Sequence, residues 1–451
     1  MSTRRRFIKQ TAVTAAGMAV GATVFGKSRT NANAKVIIIG AGFSGLAAAY
    51  RLHQENIDFV ILESRNRIGG RVFSHPITDD LVIELGGEWV GDSHSRIQEL
   101  CKELNLELEN NQFDTHLIYK GMYAQAGKWD YSEAWKTKYQ TILEKYPFMT
   151  ETQQLALDQT DWWRFLIQNG CDERDLTIRE LLDSTDFGES NRHVSAFAAL
   201  SEYAESSPKN EMDRKIKGGN AMLAHRITER IGKEKILLKH NVTKIEQTNK
   251  VKVWCENGKL FEADYIICSI PTFSISKINW QPALPPEKME ALSELQYARI
   301  NKHAFVFDER FWTDESFDMI TDELPHYFYH GTKNQKSKKG VLISYSIGDK
   351  SAVIANQSDE RNAQMIFQTL EPHFGKIQHL LHKQANYYWG EDALSKGAYA
   401  IYGKGQWFTL RPILQKPFLK THFAGEHLAD WQGFMEGAIN SGEAAAEEIL
   451  N

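Results

Sequence analysis

The sequence predicts an α/β fold, α+β overall, in which a doubly wound parallel-sheet domain is interleaved with a second domain of mixed sheet plus helices. Three observations predict it. At 451 residues the chain is long enough for two or three domains, taking roughly 150 residues for each. A β-branched run, Lys35-Val36-Ile37-Ile38-Ile39, passes through a glycine turn into an alanine-rich helix and a second apolar run, Asp58-Phe59-Val60-Ile61-Leu62, the pattern of a βαβ unit. Helix-like patterning then fills residues 133–204, a stretch rich in aromatics, and strand-like runs such as Tyr327-Phe328-Tyr329 and residues 341–345 follow, enough for a separate domain.

Composition narrows the class. Hydrophobic residues make up 42% and charged residues 25% of the chain, the balance of an ordinary globular protein. Lys plus Arg 53 against Asp plus Glu 58 gives a formal −5, which argues against a nucleic-acid partner. The four cysteines, Cys101, Cys171, Cys255 and Cys268, are too few for a disulfide scaffold and lack zinc-site spacing. No metal is expected. No uninterrupted apolar run reaches about 18 residues, so no permanent membrane anchor is expected.

The first 34 residues read as an export signal. Thr3-Arg4-Arg5-Arg6-Phe7-Ile8-Lys9 is basic, residues 11–26 are weakly apolar, and Ala32-Asn33-Ala34 is a small-x-small end. The paired arginines ahead of Phe7 and Lys9 resemble the twin-arginine type. That implies the twin-arginine export machinery as a partner and a periplasmic or extracellular destination. Removing residues 1–34 takes away six cations and no acids, moving the formal charge from −5 to −11.

The glycine turn is Gly40-Ala41-Gly42-Phe43-Ser44-Gly45. Gly40 permits a tight turn, Gly42 lets the backbone approach a pyrophosphate, and Gly45 lets helix and strand pack closely. Phe43 and Ser44 then open a helix whose N-terminal N–H groups and positive dipole end face the phosphates. Glu63 closes the second strand, 23 residues past Gly40, where a carboxylate can accept from both ribose hydroxyls and would repel a 2′-phosphate. Beyond it, Ser64-Arg65-Asn66-Arg67-Ile68-Gly69-Gly70-Arg71 supplies cations and a glycine pair, and Gly86-Gly87-Glu88-Trp89-Val90 a second glycine pair. A bare NAD site needs neither.

ExxxRxGGR after a Rossmann acid, followed by GG-x-aromatic-Val, resembles the flavin-dependent amine oxidase family, which includes monoamine, polyamine and L-amino-acid oxidases. The likeness spans almost the whole chain after residue 34. Lys217-Gly218-Gly219 opens a helix, as in the family; residues 237–245 are expected to form one strand whose Val242 matches the family's backbone contact to the adenine; a meander follows over residues 251–261; residues 263–271 return to the Rossmann sheet. Near the C-terminus stand His422-Phe423-Ala424-Gly425-Glu426 and Trp431-Gln432-Gly433-Phe434-Met435. The resemblance assigns Gly425 and Glu426 to the FAD diphosphate or ribityl region. It makes residues 433–450 a last helix that points Gly433, Phe434 and Met435 at the flavin. The cofactor it implies is FAD.

The same resemblance implies the site. Lys302, on an alternating strand over residues 298–307, matches the lysine that holds a water against flavin N5. Tyr399 and Phe434 match two aromatic positions flanking the substrate nitrogen, where ring faces favour a cation; Phe434 departs from the usual Tyr or Trp. Ala398 stands where members with covalent flavin have cysteine, so noncovalent FAD is expected. The Rossmann-type FAD-binding domain is expected to comprise residues 35–91, 212–281 and 391–451, and the substrate domain residues 92–211 and 282–390. The basic run 333–339 is expected to be a solvated loop.

The function implied is an exported oxidase of a primary or secondary amine. It transfers hydride to flavin N5 and gives an imine or aldehyde, ammonia or a smaller amine, and hydrogen peroxide from dioxygen. Three alternatives stay open at this point. An L-amino-acid oxidase needs a carboxylate-binding arginine, for which Arg96, Arg192 and Arg299 are candidates. A dehydrogenase would pass electrons to a cytochrome or quinone. A non-catalytic FAD-binding protein would not react at all. A homodimer is also left open.

Overall fold

The computed structural model describes residues 35–206 and 213–451. The proposed export signal, residues 1–34, lies outside the described residues, as does the expected domain limit at 211/212.

A five-stranded parallel sheet is drawn from three distant parts of the chain. Its order is Thr421–Phe423, Tyr265–Cys268, Lys35–Ile39, Asp58–Leu62, Ile236–Leu237. Val36, Ile37 and Ile38 are fully buried, as in a sheet covered on both faces. Each such side chain contributes roughly 1.5–3 kcal/mol on burial. The helix Phe43–Gln54 packs along the C-terminal helix Met435–Leu450. Glycine makes that approach feasible: a Cβ on Gly442 would stand 2.0 Å from the Ser44 carbonyl oxygen.

A seven-stranded mixed sheet forms the second layer. Its order is Leu381–Tyr388, Asn301–Phe307, Gly340–Ser346, Tyr327–His330, Phe317–Thr321, Asp114–Tyr119, Met122–Ala124. All neighbours are antiparallel except Phe317–Thr321 beside Asp114–Tyr119. Five helices between Glu133 and Glu205 supply one wall beside it. A smaller four-stranded sheet, Leu260–Ala263, Val251–Cys255, Val242–Gln247 and Asn279–Gln281, carries the meander. Among the described residues no helix is long and apolar enough to cross a membrane.

Four expectations need correction. Residues 237–245 are not one strand but two, Ile236–Leu237 and Val242–Gln247. The break serves the second strand of the βαβ unit: Lys239 turns at φ +57°, its N–H donates to the Arg65 carbonyl, and that of His240 to the Glu63 carbonyl. The strand Asn301–Phe307 does not alternate in exposure; all seven residues are buried, because helix Gly348–Ala355 packs against it and Lys302 faces an internal cavity. The last helix starts at Met435, since Gly433 sits at φ +84° outside it. Finally, Lys333 in the basic run is buried, its ammonium bound by the Gln112 carbonyl and the Ser316 hydroxyl.

Candidate active site

The glycine turn does what its spacing requires. Gly40, at φ +101°, donates its N–H to the Leu62 carbonyl at 2.8 Å and bends the chain out of the sheet. A Cβ on Gly45 would lie 2.0 Å from the Gly40 carbonyl oxygen, so only glycine lets the helix start this close. Gly42 and Gly70 face each other: a Cβ on Gly70 would lie 3.1 Å from the Gly42 Cα. The helix Phe43–Gln54 has no side-chain cap at Gly42, which leaves its first N–H groups for another partner. Glu63 is buried and stitches the turn together, accepting from the Ala41 and Arg65 N–H groups at 2.7 Å each.

A cleft of about 290 Å³ runs along this turn, lined by Gly40, Gly42, Phe43, Ser44, Glu63, Ser64, Arg65, Gly70, Arg71, Gly87, Val242, Gly425, Glu426, Gly433, Phe434 and Met435. At one end Arg65 grips Asp392 at 2.6 and 2.8 Å. Burial opposes the charge on Asp392, yet the guanidinium holds its carboxyl below the usual range. At the other end Arg71 meets Glu426 at 2.6 Å. Burial raises Glu426, but Arg71 outweighs it and holds the carboxyl down. Glu426 also accepts from Gly433 N at 2.8 Å and Ala400 N at 3.2 Å. It thereby ties the segment before the C-terminal helix to the strand that follows Tyr399. That helix, too, has no side-chain cap, and Met435 and Ala438 of its first turn line the cleft. Two uncapped helix N-termini thus converge on one cleft, which favours an anionic occupant.

The cleft opens into a second cavity of about 400 Å³. Arg71, Gly87, Ala398, Tyr399, Gly433, Phe434 and Met435 line both. Tyr399 is anchored through its hydroxyl, which donates to the Asp186 carbonyl. Phe434 is held edge-on by His94 at 5.1 Å and Trp431 at 5.7 Å between ring centroids. Burial pushes His94 down to about 4, so the ring beside Phe434 is neutral imidazole at pH 7. Across the cavity floor lie Lys302, Tyr345, Tyr327 and Asp318, one from each of four adjacent strands. Asp186 and Asp318 are each pushed up to about 7, chiefly by burial.

Several expected residues stand elsewhere than the sequence suggested. Gly86, Glu88 and Trp89 line the second cavity and not the dinucleotide cleft, because the Glu88 carboxylate is drawn away to Lys302 and the Tyr329 hydroxyl. Gly45 lines neither; its part is packing. The candidate carboxylate-binding arginines also face elsewhere. Arg96 pairs with Glu99, Glu103 and Glu443, Arg192 stacks on Trp163, and Arg299 pairs with Glu189 and Asp349. None of the three lines either cavity. Sequence reading missed Asp392, Asn111, Asp186, Asp318 and Tyr345; each is an ordinary residue in its local stretch, and only the topology brings them here. Among the described residues no cluster of side chains could hold a metal ion.

The geometry defines a cleft of dinucleotide-binding type, flanked by two uncapped helix starts, that opens into a second cavity. Comparison with known proteins fixes the family. The sequence model described as flavin containing amine oxidoreductase matches residues 43–450, and the chain belongs to that family. It is similar to amine oxidase [flavin-containing] B of Homo sapiens, 26% identical over 92% of this chain and 86% of that protein. It is likewise similar to amine oxidase [flavin-containing] A of Canis lupus familiaris, 25% identical over 92% and 85%. Among solved structures, cyclohexylamine oxidase from Brevibacterium oxydans IH-35A superposes with a TM-score of 0.82 at 23% identity. Putrescine oxidase bound to putrescine gives 0.82 at 21%; each likeness covers 93% of this chain and 99% of the other. These two show the shared fold.

The protein is an FAD-dependent amine oxidoreductase. The residues present fit the cofactor: Gly42 and Gly70 face each other across the cleft wall, where a Cβ on Gly70 would press on the Gly42 Cα at 3.1 Å, and the convergent helix starts suit its diphosphate. The cleft lining contains no cysteine and has Ala398 beside Tyr399, so FAD is held noncovalently.

Proposed function

We propose that the chain is an exported oxidase of a primary or secondary amine with dioxygen as electron acceptor. The observation that carries the substrate assignment is that Tyr399 and Phe434 line both cavities, at the passage between cofactor cleft and substrate space. Bound FAD supplies the two-electron chemistry, accepting hydride equivalents from the carbon next to the amine nitrogen and returning them to dioxygen as hydrogen peroxide.

The chain's own part is binding, orientation and exclusion of water. Tyr399 and Phe434 offer ring faces to the amine, and their anchors, the Asp186 carbonyl and the His94–Trp431 pair, fix where those rings stand. Glu88, Asp186, Glu202, Asp213 and Asp318 line the second cavity against two cations, Arg71 and Lys302. Such a lining draws in an alkylammonium and repels a carboxylate. The amino-acid oxidase reading loses support for the same reason, since Arg71 is already paired with Glu426. Export is supported by the basic, apolar and small-residue order of residues 1–34. The domain limits expected from the sequence are retained as part of this reading.

The test is a panel of aromatic amines, alkylamines, polyamines and L-amino acids, scored for flavin bleaching without oxygen and for peroxide in air. The proposal expects amines to give both. Bleaching without peroxide would replace dioxygen by another acceptor, and bleaching by amino acids alone would overturn the substrate assignment.

A further inference from the structure

The Lys302 ammonium is fully committed within the chain. It donates to the Glu84 carbonyl at 3.2 Å, the Gly86 carbonyl at 2.8 Å and Glu88 Oε2 at 3.0 Å. An ammonium has three N–H donors, and all three are matched. The Trp89, Tyr329 and Tyr345 rings close around it at 5.2, 5.6 and 5.9 Å. The side chains of Lys302 and Glu88 keep only 3% and 1% of their surface open. The other groups bearing on Glu88 are the Tyr329 hydroxyl, the Lys215 ammonium at 3.9 Å, and the buried Glu84 carboxyl, which burial first and the Glu88 charge second push up to about 7. The resemblance expects this lysine to hold a water; here one of its donors goes to the Glu88 carboxylate.

We propose that Glu88 is a positioning residue: it takes up the third Lys302 donor, cancels that charge at the edge of the flavin site, and helps pin the 84–87 segment to the strand Asn301–Phe307. The place of the pair carries this. Gly86 and Glu88 flank Gly87, which lines both cavities, so an uncompensated charge here acts across the passage. In a buried, low-dielectric setting one unit charge biases a nearby anionic reduced state strongly. With Glu88 present the pair is neutral, and Lys302 does not act as a free cation. The inference rests on the amine-oxidoreductase reading only in that FAD is bound; it does not depend on which amine reacts.

The test therefore uses no substrate. FAD-loaded wild type, Glu88→Gln and the double variant Glu88→Gln/Lys302→Met are reduced anaerobically against a reference dye, and the oxidised-to-reduced equilibrium is read from the spectra. Glutamine keeps the shape and one acceptor while removing the charge. The single variant is expected to favour the reduced flavin at least tenfold over wild type, about 30 mV for a two-electron couple. The double variant, neutral again, is expected to return within threefold of wild type. A single variant within threefold of wild type, or a double variant as displaced as the single, would overturn the proposal. A purely structural role would loosen FAD in both variants without this reversal. Failure of the amine reading would appear separately, as an absence of bleaching by any amine in the wild type.

Discussion

The two cavities that meet at Tyr399 are made from different materials. The cofactor cleft is built largely from backbone: glycine positions, two helix starts and one carboxylate, Glu63, that binds two N–H groups within the same motif. The substrate cavity is built from side chains contributed by strands of the mixed sheet, by helix Glu173–Phe187 and by the loop around Phe113. Backbone sites tolerate little change where an added Cβ collides, as at Gly40 and Gly45. Side-chain sites are tuned residue by residue, and this one carries acids and arenes.

The largest effect expected from breaking that contrast lies on the cofactor side. Glu63→Ala removes both stitches of the turn and the ribose acceptor, and is expected to weaken FAD about 100-fold, roughly 3 kcal/mol, measured by fluorescence on release of the flavin. On the substrate side Tyr399→Ala is expected to leave FAD retention near wild type. It should weaken amine binding about tenfold through loss of one ring face, roughly 1–2 kcal/mol.

That difference in material also decides what could be read beforehand. Gly40, Gly42, Gly45 and Glu63 lie within one short stretch, and each answers a steric or charge demand that holds for any chain, so their arrangement was legible. Lys302, Tyr399 and Phe434 were found only through family likeness, and their anchors were not. The partners of Lys302 come from loops and strands more than 200 residues apart, and the Asp186 backbone that fixes Tyr399 lies 213 residues away. No local pattern announces such pairs. Asp318 looks like a polar residue on an ordinary strand until the seven-stranded order places it under a cavity. The break at Lys239 was likewise invisible, because the need for it arises from Glu63 and Arg65 in the turn after the strand Asp58–Leu62.

A smaller effect sharpens the electrostatic side of the comparison. Asp186 and Asp318 titrate near 7 in the folded protein, raised mainly by burial. Below that they are neutral, and above it charged, so the cavity becomes more negative as pH rises from 6 to 8. Binding of benzyltrimethylammonium, which has no proton to lose, is expected to tighten about fivefold over that span, roughly 1 kcal/mol. The Asp186→Asn/Asp318→Asn variant is expected to bind it with a flat profile, as read by calorimetry. The smallest expected effect concerns the arginines: Arg96→Ala, Arg192→Ala and Arg299→Ala are each expected to change kcat/KM less than twofold. Loss of about 100-fold in any of them would mark a carboxylate-binding residue and restore the amino-acid oxidase reading.

The most direct measurement mixes FAD-loaded wild type and the Tyr399→Ala/Phe434→Ala variant with an amine under nitrogen and follows the yellow flavin band in a stopped-flow cell. If the passage between the cavities is where the amine is held for oxidation, both proteins stay fully loaded with FAD and the variant bleaches at least 100-fold more slowly. Equal bleaching rates at saturating amine would contradict that placement.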